Sequence, residues 1–313
     1  MDSRNAPDRP PEPDTEDFLS RLSLTQVDRD IFTGWCHSGS PLRAFGGQVA
    51  AQALVAAGRT VPDPDRRVHS LHAYFLRPGR TTDHIVYMVD RPRDGRSFST
   101  RRVRAVQYGE TIFTMSASFA VQQEGPTHGK DAAPDWFAEV PRPQQAEPIE
   151  IAEHLRLPDG TKADDQGLEQ AGYPIHQLLD MRHIDSALVR ELSEGFVDQM
   201  NWIKGQPLPS NPLIHVCALT YFSDLTLVRT VLGPHANTPG SEQLEVASID
   251  HAMWFHGPLR ADSWLLFANR SPVAGDGHGF ATGSVYNESG HVVASIAQEV
   301  LVRRPSNRAN YLD

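Results

Sequence analysis

The sequence predicts an α+β protein made of two copies of one unit, each a long helix wrapped by an antiparallel β-sheet, fused in one chain. Three observations carry this: an internal repeat, the order of helix and then consecutive strands in each half, and glycine turns at matching places. His69-Ser-Leu-His-Ala-Tyr-Phe-Leu-Arg-Pro78, Gly95-Arg-Ser-Phe98 and Gly109 in the first half are answered in the second by Ser248-Ile-Asp-His-Ala-Met-Trp-Phe-His-Gly-Pro258, Gly277-His-Gly-Phe280 and Gly290. Setting Pro78 on Pro258 sets Phe75 on Phe255 and, within a slip of two residues, Gly95 on Gly277 and Phe98 on Phe280. Eight residues beyond the Gly109 and Gly290 turns, Ala117 then answers Gln298, so one copy has a methyl group where the other has an amide.

The elements follow in order. Met1 to Glu16 is rich in Asp, Pro and Arg and has no apolar signal core, which predicts a disordered tail over 1–17 and no secretion. The first unit spans 18–121. In it, Phe45-Gly-Gly-Gln-Val-Ala-Ala-Gln-Ala-Leu-Val-Ala-Ala-Gly58 reads as a helix of small residues, opened by two glycines and closed by one. Strands are predicted over His69–Leu76 and Thr82–Asp90, the second ended by an Arg91-Pro-Arg-Asp-Gly95 turn. Ser97–Gln107 and Thr111–Val121 form a hairpin about Tyr108-Gly-Glu. Residues 122–166, rich in Pro, Asp, Gln and Gly, read as a linker across the surface. The second unit spans 167–304, with a helix over Ile214–Leu232 ended by Gly233-Pro234. A strand containing Ser248 follows, and then strands over Ser263–Ser271, Gly279–Glu288 and His291–Arg303. Residues 305–313 form a second tail, whose Asn-Tyr-Leu-Asp ending is not a Ser-Lys-Leu-type address. Two such units can join edge to edge, each covering an otherwise open sheet edge of the other.

Composition bounds the function. With 313 residues, 39% of them hydrophobic and 22% charged, the chain is an ordinary globular protein with ample core material. No apolar run approaches the roughly 18 residues a bilayer span needs, so no stable membrane insertion is expected. The formal charge of −10 argues against nucleic-acid partners. The two cysteines, Cys36 and Cys217, lie in no metal or redox spacing and fit a reducing cytoplasm. No His-Glu-x-x-His or Gly-x-Ser-x-Gly motif occurs, so no metal site is expected. The Gly275-Asp-Gly-His-Gly279 stretch fails the dinucleotide pattern and precedes a strand. Asp250 and His251 look like an acid/base pair, but neighbours on a strand point to opposite faces, so they do not aim at one atom.

Against this acidic background, Arg91, Arg93, Arg96, Arg101, Arg102 and Arg104 crowd one short stretch. Arg93, Arg96, Arg101 and Arg102 are the candidates for holding phosphate, because guanidinium forks match phosphate oxygens in charge and geometry. The other reading is a solvated turn and the exposed face of a strand.

Several motifs in the same order carry a resemblance. Phe45-Gly-Gly-Gln, His69-Ser-x-His-x-Tyr-Phe-Leu-Arg-Pro-Gly79, Arg93-Asp-Gly-x-Ser-Phe-x-x-Arg-Arg-Val103, Ser223-Asp-Leu, Ile249-Asp-His-x-Met-Trp-Phe-His256 and Gln298-Glu299 together resemble acyl-CoA thioesterase II over residues 18 to 304. The resemblance implies a double hotdog fold, hydrolysis of acyl-CoA to free acid and CoA, and assembly into a dimer or higher oligomer. It also implies that Asp224, Ser248 and Gln298 position the hydrolytic water, with Ser248 standing where many relatives have threonine.

The chemistry fits those residue types. A departing thiol has a pKa of about 8 to 9 and leaves with little help from an acid, so no catalytic histidine is needed. Asp224 would take the proton from water, while the Ser248 hydroxyl and the Gln298 amide would fix its orientation. Direct attack by water and an acyl anhydride on Asp224 both suit this set. Backbone N–H groups at Gly46 and Gly47 would stabilise the oxyanion. No cofactor is called for, since coenzyme A is part of the substrate. A rough helix match sets Gln48 against Asp224, and the repeat sets Ser70 near Asp250, so one site per chain is expected, in the second copy. Two rival readings remain. An enoyl-CoA hydratase of the same fold would show a histidine five residues after its aspartate, where this chain has Arg229; a non-catalytic acyl-CoA sensor would share the fold and the arginines.

Overall fold

The computed structural model describes residues 17–36, 43–130, 132–149, 178–236, 238 and 244–304. The predicted tails apart from Asp17, residues 150–166 of the linker and 167–177 of the second unit lie outside the described residues. In the first unit, β1 (Thr25–Asp28) and β2 (Ile31–Gly34) precede helix α1 (Gly46–Arg59). Strands β3 (Arg67–Phe75), β4 (Ile85–Asp94), β5 (Phe98–Gln107) and β6 (Glu110–Ala120) follow it. The second unit runs β7 (Glu147–Pro148), β8 (Leu179–His183), α2 (Ser186–Leu192), β9 (Gln199–Gly205) and α3 (Pro212–Leu232). It continues with β10 (Glu245–Ser248), β11 (Asp250–Phe255), β12 (Leu265–Gly275), β13 (His278–Asn287) and β14 (Val292–Arg303).

All these strands form one antiparallel sheet in the order β1-β2-β4-β5-β6-β3-β11-β14-β13-β12-β9-β8-β7, with β10 also on β14. The order β3-β6-β5-β4-β2 outward from the centre is repeated by β11-β14-β13-β12-β9, as the internal repeat requires. The halves join where β3 pairs with β11, Tyr74 opposite Asp250 and Ser70 opposite Trp254, so each copy covers the other's open edge. This is the double hotdog expected from the sequence.

The tight turns at Tyr108-Gly109 (φ 51 and 80) and Asp276-Gly277 (φ 52 and 83) have both residues left-handed, the geometry that matches the twist of flanking strands. The turn expected at Arg91–Gly95 begins later. Strand β4 runs on to Asp94, past a bulge between Asp90 and Arg93 that accommodates Pro92, which has no N–H to give the ladder.

Alternation along the strands divides the core in two. In the second unit, Ile203, Leu265 and Phe267 join the main core around α1 and α3, while Met200, Trp202, Leu266 and Ala268 face the other way. That second face is covered by Phe137, Val140, Ala146 and α2. Here the structure corrects the linker reading. Residues 134–149 are a packed layer: the Trp202 indole donates to Pro141 O at 2.9 Å, and Glu147–Pro148 pairs with β8. The proline-rich composition hid the few apolar residues that anchor it.

Helices α1 and α3 lie side by side and antiparallel, and small residues on α1 permit the approach. A Cβ added at Gly47 would stand 2.6 Å from Tyr221 O, and one at Gly58 would stand 2.4 Å from a Leu213 methyl. Because the Gly47 obstacle includes backbone that cannot rotate aside, Gly47→Ala is expected to destabilise the fold by about 1–3 kcal/mol. A lowered midpoint in urea unfolding would show it; an unchanged midpoint would mean the helices move apart without cost.

Candidate functional site

Asp224 sits on the fourth turn of a long helix that Asn211 and Pro212 start: the Asn211 side chain accepts from Leu213 N at 3.0 Å, and Pro212 takes the first turn, where no N–H is needed. The helix then carries the carboxylate into the wall of the sheet, where it is only 7% exposed. Ser248 ends β10, opposite Val300 of β14. Gln298 lies two residues before Val300 on the same strand, on the same face, and is fully buried.

The three predicted residues meet. Ser248 Oγ donates to Asp224 Oδ1 at 2.8 Å and Gln298 Nε2 donates to the same oxygen at 3.0 Å. Gln298 Nε2 also lies 2.7 Å from Ser248 Oγ. No described residue donates a hydrogen bond to Asp224 Oδ2. Instead that oxygen faces the start of α1, 2.9 Å from where a Cβ on Gly46 would stand, with the Phe75 ring against the same glycine. Gly46 and Gly47 therefore open a helix whose first turn has no side-chain cap, directly beside the carboxylate.

Beneath this set lies His251, which the sequence set aside as half of a pair with Asp250 that cannot aim at one atom. A carboxylate can only accept, so the Gln298 amide must turn its nitrogen to Asp224 and its oxygen inward. That oxygen is 2.7 Å from His251 Nδ1, which must then carry the proton, leaving Nε2 to accept from Ser223 Oγ at 2.8 Å. Burial, the largest influence, holds the His251 imidazole below the usual histidine range, against the opposing pull of Asp224. Asp250 points the other way and accepts from Glu299 N at 2.6 Å, so the Asp250–His251 pair is indeed split between two faces. Both thiols are buried; Cys36 is pushed up to about 12 and Cys217 is raised as well, so neither is a nucleophile at neutral pH.

The strand registers test the repeat at atomic level. Leu71 pairs with Ala117 across β3 and β6, and Ala252 pairs with Ala297 across β11 and β14, which puts His251 opposite Gln298. With Pro78 on Pro258, Leu71 thus answers His251, Ala117 answers Gln298 and Val68 answers Ser248. Every polar member of the second copy's strand set has an apolar counterpart in the first. On α1, Gln48, the rough helix match to Asp224, donates to Arg21 O at 3.0 Å and Trp35 O at 3.2 Å.

Comparison with known proteins gives the family. The family described as acyl-CoA thioesterase matches residues 184–301, and its N-terminal domain family matches residues 33–120. Human acyl-coenzyme A thioesterase 8 is 34% identical over 286 residues, covering 90% of this chain and 87% of that protein. The chain belongs to the acyl-CoA thioesterase family. A solved member, acyl-CoA thioesterase II TesB2 from Mycobacterium marinum, is 40% identical with a TM-score of 0.74, covering 92% of this chain and 98% of that one. A hot dog fold protein of unknown function from Alicyclobacillus acidocaldarius, 19% identical with a TM-score of 0.65 over 92% of this chain and 98% of its own, shares the fold.

Within this acyl-CoA thioesterase fold the arginines behave differently from expectation. Arg101 is fully buried, with Nε on Thr60 Oγ1 at 2.8 Å and Nη2 on Asp94 Oδ1 at 2.8 Å, so its fork is occupied and it does not offer itself to a phosphate. Arg93, Arg96 and Arg102 are exposed. They sit away from Asp224: Arg66 Nη2 donates to Gly95 O at 2.7 Å and Arg96 O at 3.1 Å, which fixes the β4–β5 turn at the opposite end of the helix pair. The cause is the antiparallel junction, which sends equivalent ends of the two copies to opposite ends of the molecule.

Proposed function

We propose that the chain hydrolyses fatty acyl-CoA to free acid and CoA at Asp224, Ser248 and Gln298. The observation that carries this is the division of labour on one carboxylate: both donors converge on Oδ1, leaving Oδ2 free beside the uncapped start of α1. A water held there would attack the thioester carbon while Oδ2 takes its proton. Negative charge on the carbonyl oxygen would face the Gly46 and Gly47 N–H groups, where the helix dipole favours it. The C–S bond then breaks and the thiolate leaves, its ordinary pKa of about 8.5 making a strong general acid unnecessary. No cofactor enters any step, CoA being part of the substrate.

The reading extends to a cytoplasmic location, which suits two free buried thiols, and to a dimer or higher assembly of double hotdogs. The test is thiol release from an acyl-CoA chain-length series followed with a colorimetric thiol reagent. Release is expected with at least one chain length. Binding across the series without release would favour the acyl-CoA sensor instead.

A further inference from the structure

A cavity of about 600 Å³ lies at the end of the helix pair away from Asp224. It is within the size range of ligand pockets. Its walls come from the start of β3, the ends of β6 and β11, the end of α1 and the start of α3, and are apolar at Val61, Val68, Phe119, Leu213, Val216 and Phe255.

The repeat makes this cavity the counterpart of the Asp224 site. Val68 answers Ser248, and Phe255 answers Phe75, the ring beside Gly46. Neither Val68 nor Ala117 can direct a water, and α1 carries no Asp or Glu at all. The first copy has a cavity at this place without the hydrolytic groups.

Its rim is cationic. Arg67 and Lys130 line it with no carboxylate within ion-pair distance among the described residues, in a chain of net charge −10, while Arg66 and Arg260, also on the rim, are already paired with Asp63 and Asp262. Arg67 and Lys130 are exposed. The arginine-bearing β4–β5 turn is tied to this rim through Arg66. His215, another lining residue, is 2% exposed; its Nδ1 accepts from Ala261 N at 3.2 Å and lies 3.9 Å from Asp262 Oδ1, and its Nε2 has the Pro209 backbone for a neighbour but no acceptor in full hydrogen-bond geometry among the described residues. A donor held this poorly is better satisfied by a ligand oxygen.

We propose that this cavity binds, without cleaving it, an alkyl chain with an anionic head, the chemistry shared by an acyl-CoA and by the free acid its hydrolysis releases. The proposal rests on Asp224, Ser248 and Gln298 being the hydrolytic site, since it takes this cavity as their non-hydrolytic counterpart in the first copy.

Equilibrium titration of the full chain with hexadecyl-CoA, a thioether that cannot be hydrolysed, tests this below the micelle threshold. Two equivalents per chain are expected. Val68→Trp, which fills the cavity, should leave one. Arg67→Glu/Lys130→Glu, confined to exposed side chains and therefore safe for folding, should weaken the second equivalent at least tenfold. Palmitate competes for the second equivalent if a carboxylate head suffices and fails to compete if phosphates are required; either result supports the site and identifies the source of its ligand. One equivalent in the unaltered chain, or a second equivalent that both variants leave unchanged, overturns it. Turnover of Asp224→Asn from the same preparation reports separately on the hydrolytic assignment.

Discussion

Asp224→Asn is expected to lower kcat by about 10²- to 10⁴-fold, the usual contribution of a general base, while leaving the fold and KM close to their original values. Asparagine is nearly isosteric, and its Oδ1 can still accept from Ser248 Oγ and Gln298 Nε2, the two bonds that fix the side chain. What changes is the other atom. Where Oδ2 faced Gly46 with nothing donating to it, an amide nitrogen would stand that can take no proton and would present its hydrogens to the reacting water. The substitution therefore separates positioning, which persists, from proton acceptance, which does not. Thiol release measured on a variant whose melting temperature matches the parent checks it; a rate within a few fold of the parent would remove Asp224 from the chemistry.

The strand framework was legible in the sequence because it depends on local patterns, whereas Asp224, Ser248 and Gln298 were singled out by the motif resemblance and no local period marks them. Gly109 and Gly290 mark hairpins, and counting from them matched Ala117 to Gln298, which the registers at Leu71 and His251 reproduce. The fate of Arg101 was legible too, had period-two alternation been weighed above charge. Ser99, Arg101, Val103, Ala105 and Gln107 share the buried face, while Arg102 and Arg104 point to solvent. The position of the arginine turn was not legible. Which end of the helix pair it reaches depends on the antiparallel β3–β11 junction, a contact between residues about 180 positions apart that no local pattern encodes. The packing of 134–149 was lost for a different reason: Phe137 and Val140 are too few, and too interrupted by proline, to show a period.

His251→Phe is expected to lower kcat by on the order of 10- to 100-fold with little change in KM, because the imidazole acts through Gln298. Loss of the Nδ1 donor strands the buried Gln298 oxygen, at a cost of about 1–3 kcal/mol, and each 1.4 kcal/mol is a factor of ten in rate if it falls on the transition state. The amide can relieve itself only by turning its oxygen toward Asp224, which repels it. A purely structural role would lower stability in any background. A role through Gln298 makes the two substitutions non-additive, so His251→Phe added to Gln298→Ala should lower kcat scarcely further. Full additivity in kcat would sink the positioning role. Acid stability gives an independent readout. With the folded imidazole held below its ordinary value of 6.5, the unfolded chain takes up a proton first as pH falls below that point. Above 6.5 both states are neutral and the residue contributes no pH dependence. Below it, stability drops until the folded imidazole itself protonates, at which point Nε2 donates to Ser223 Oγ and the hydroxyl turns to Thr220 O, 2.9 Å away. Removing the imidazole should therefore flatten the loss of stability below pH 6.5 while the fall in kcat persists at every pH, since Nδ1 carries its proton in both charge states of the parent.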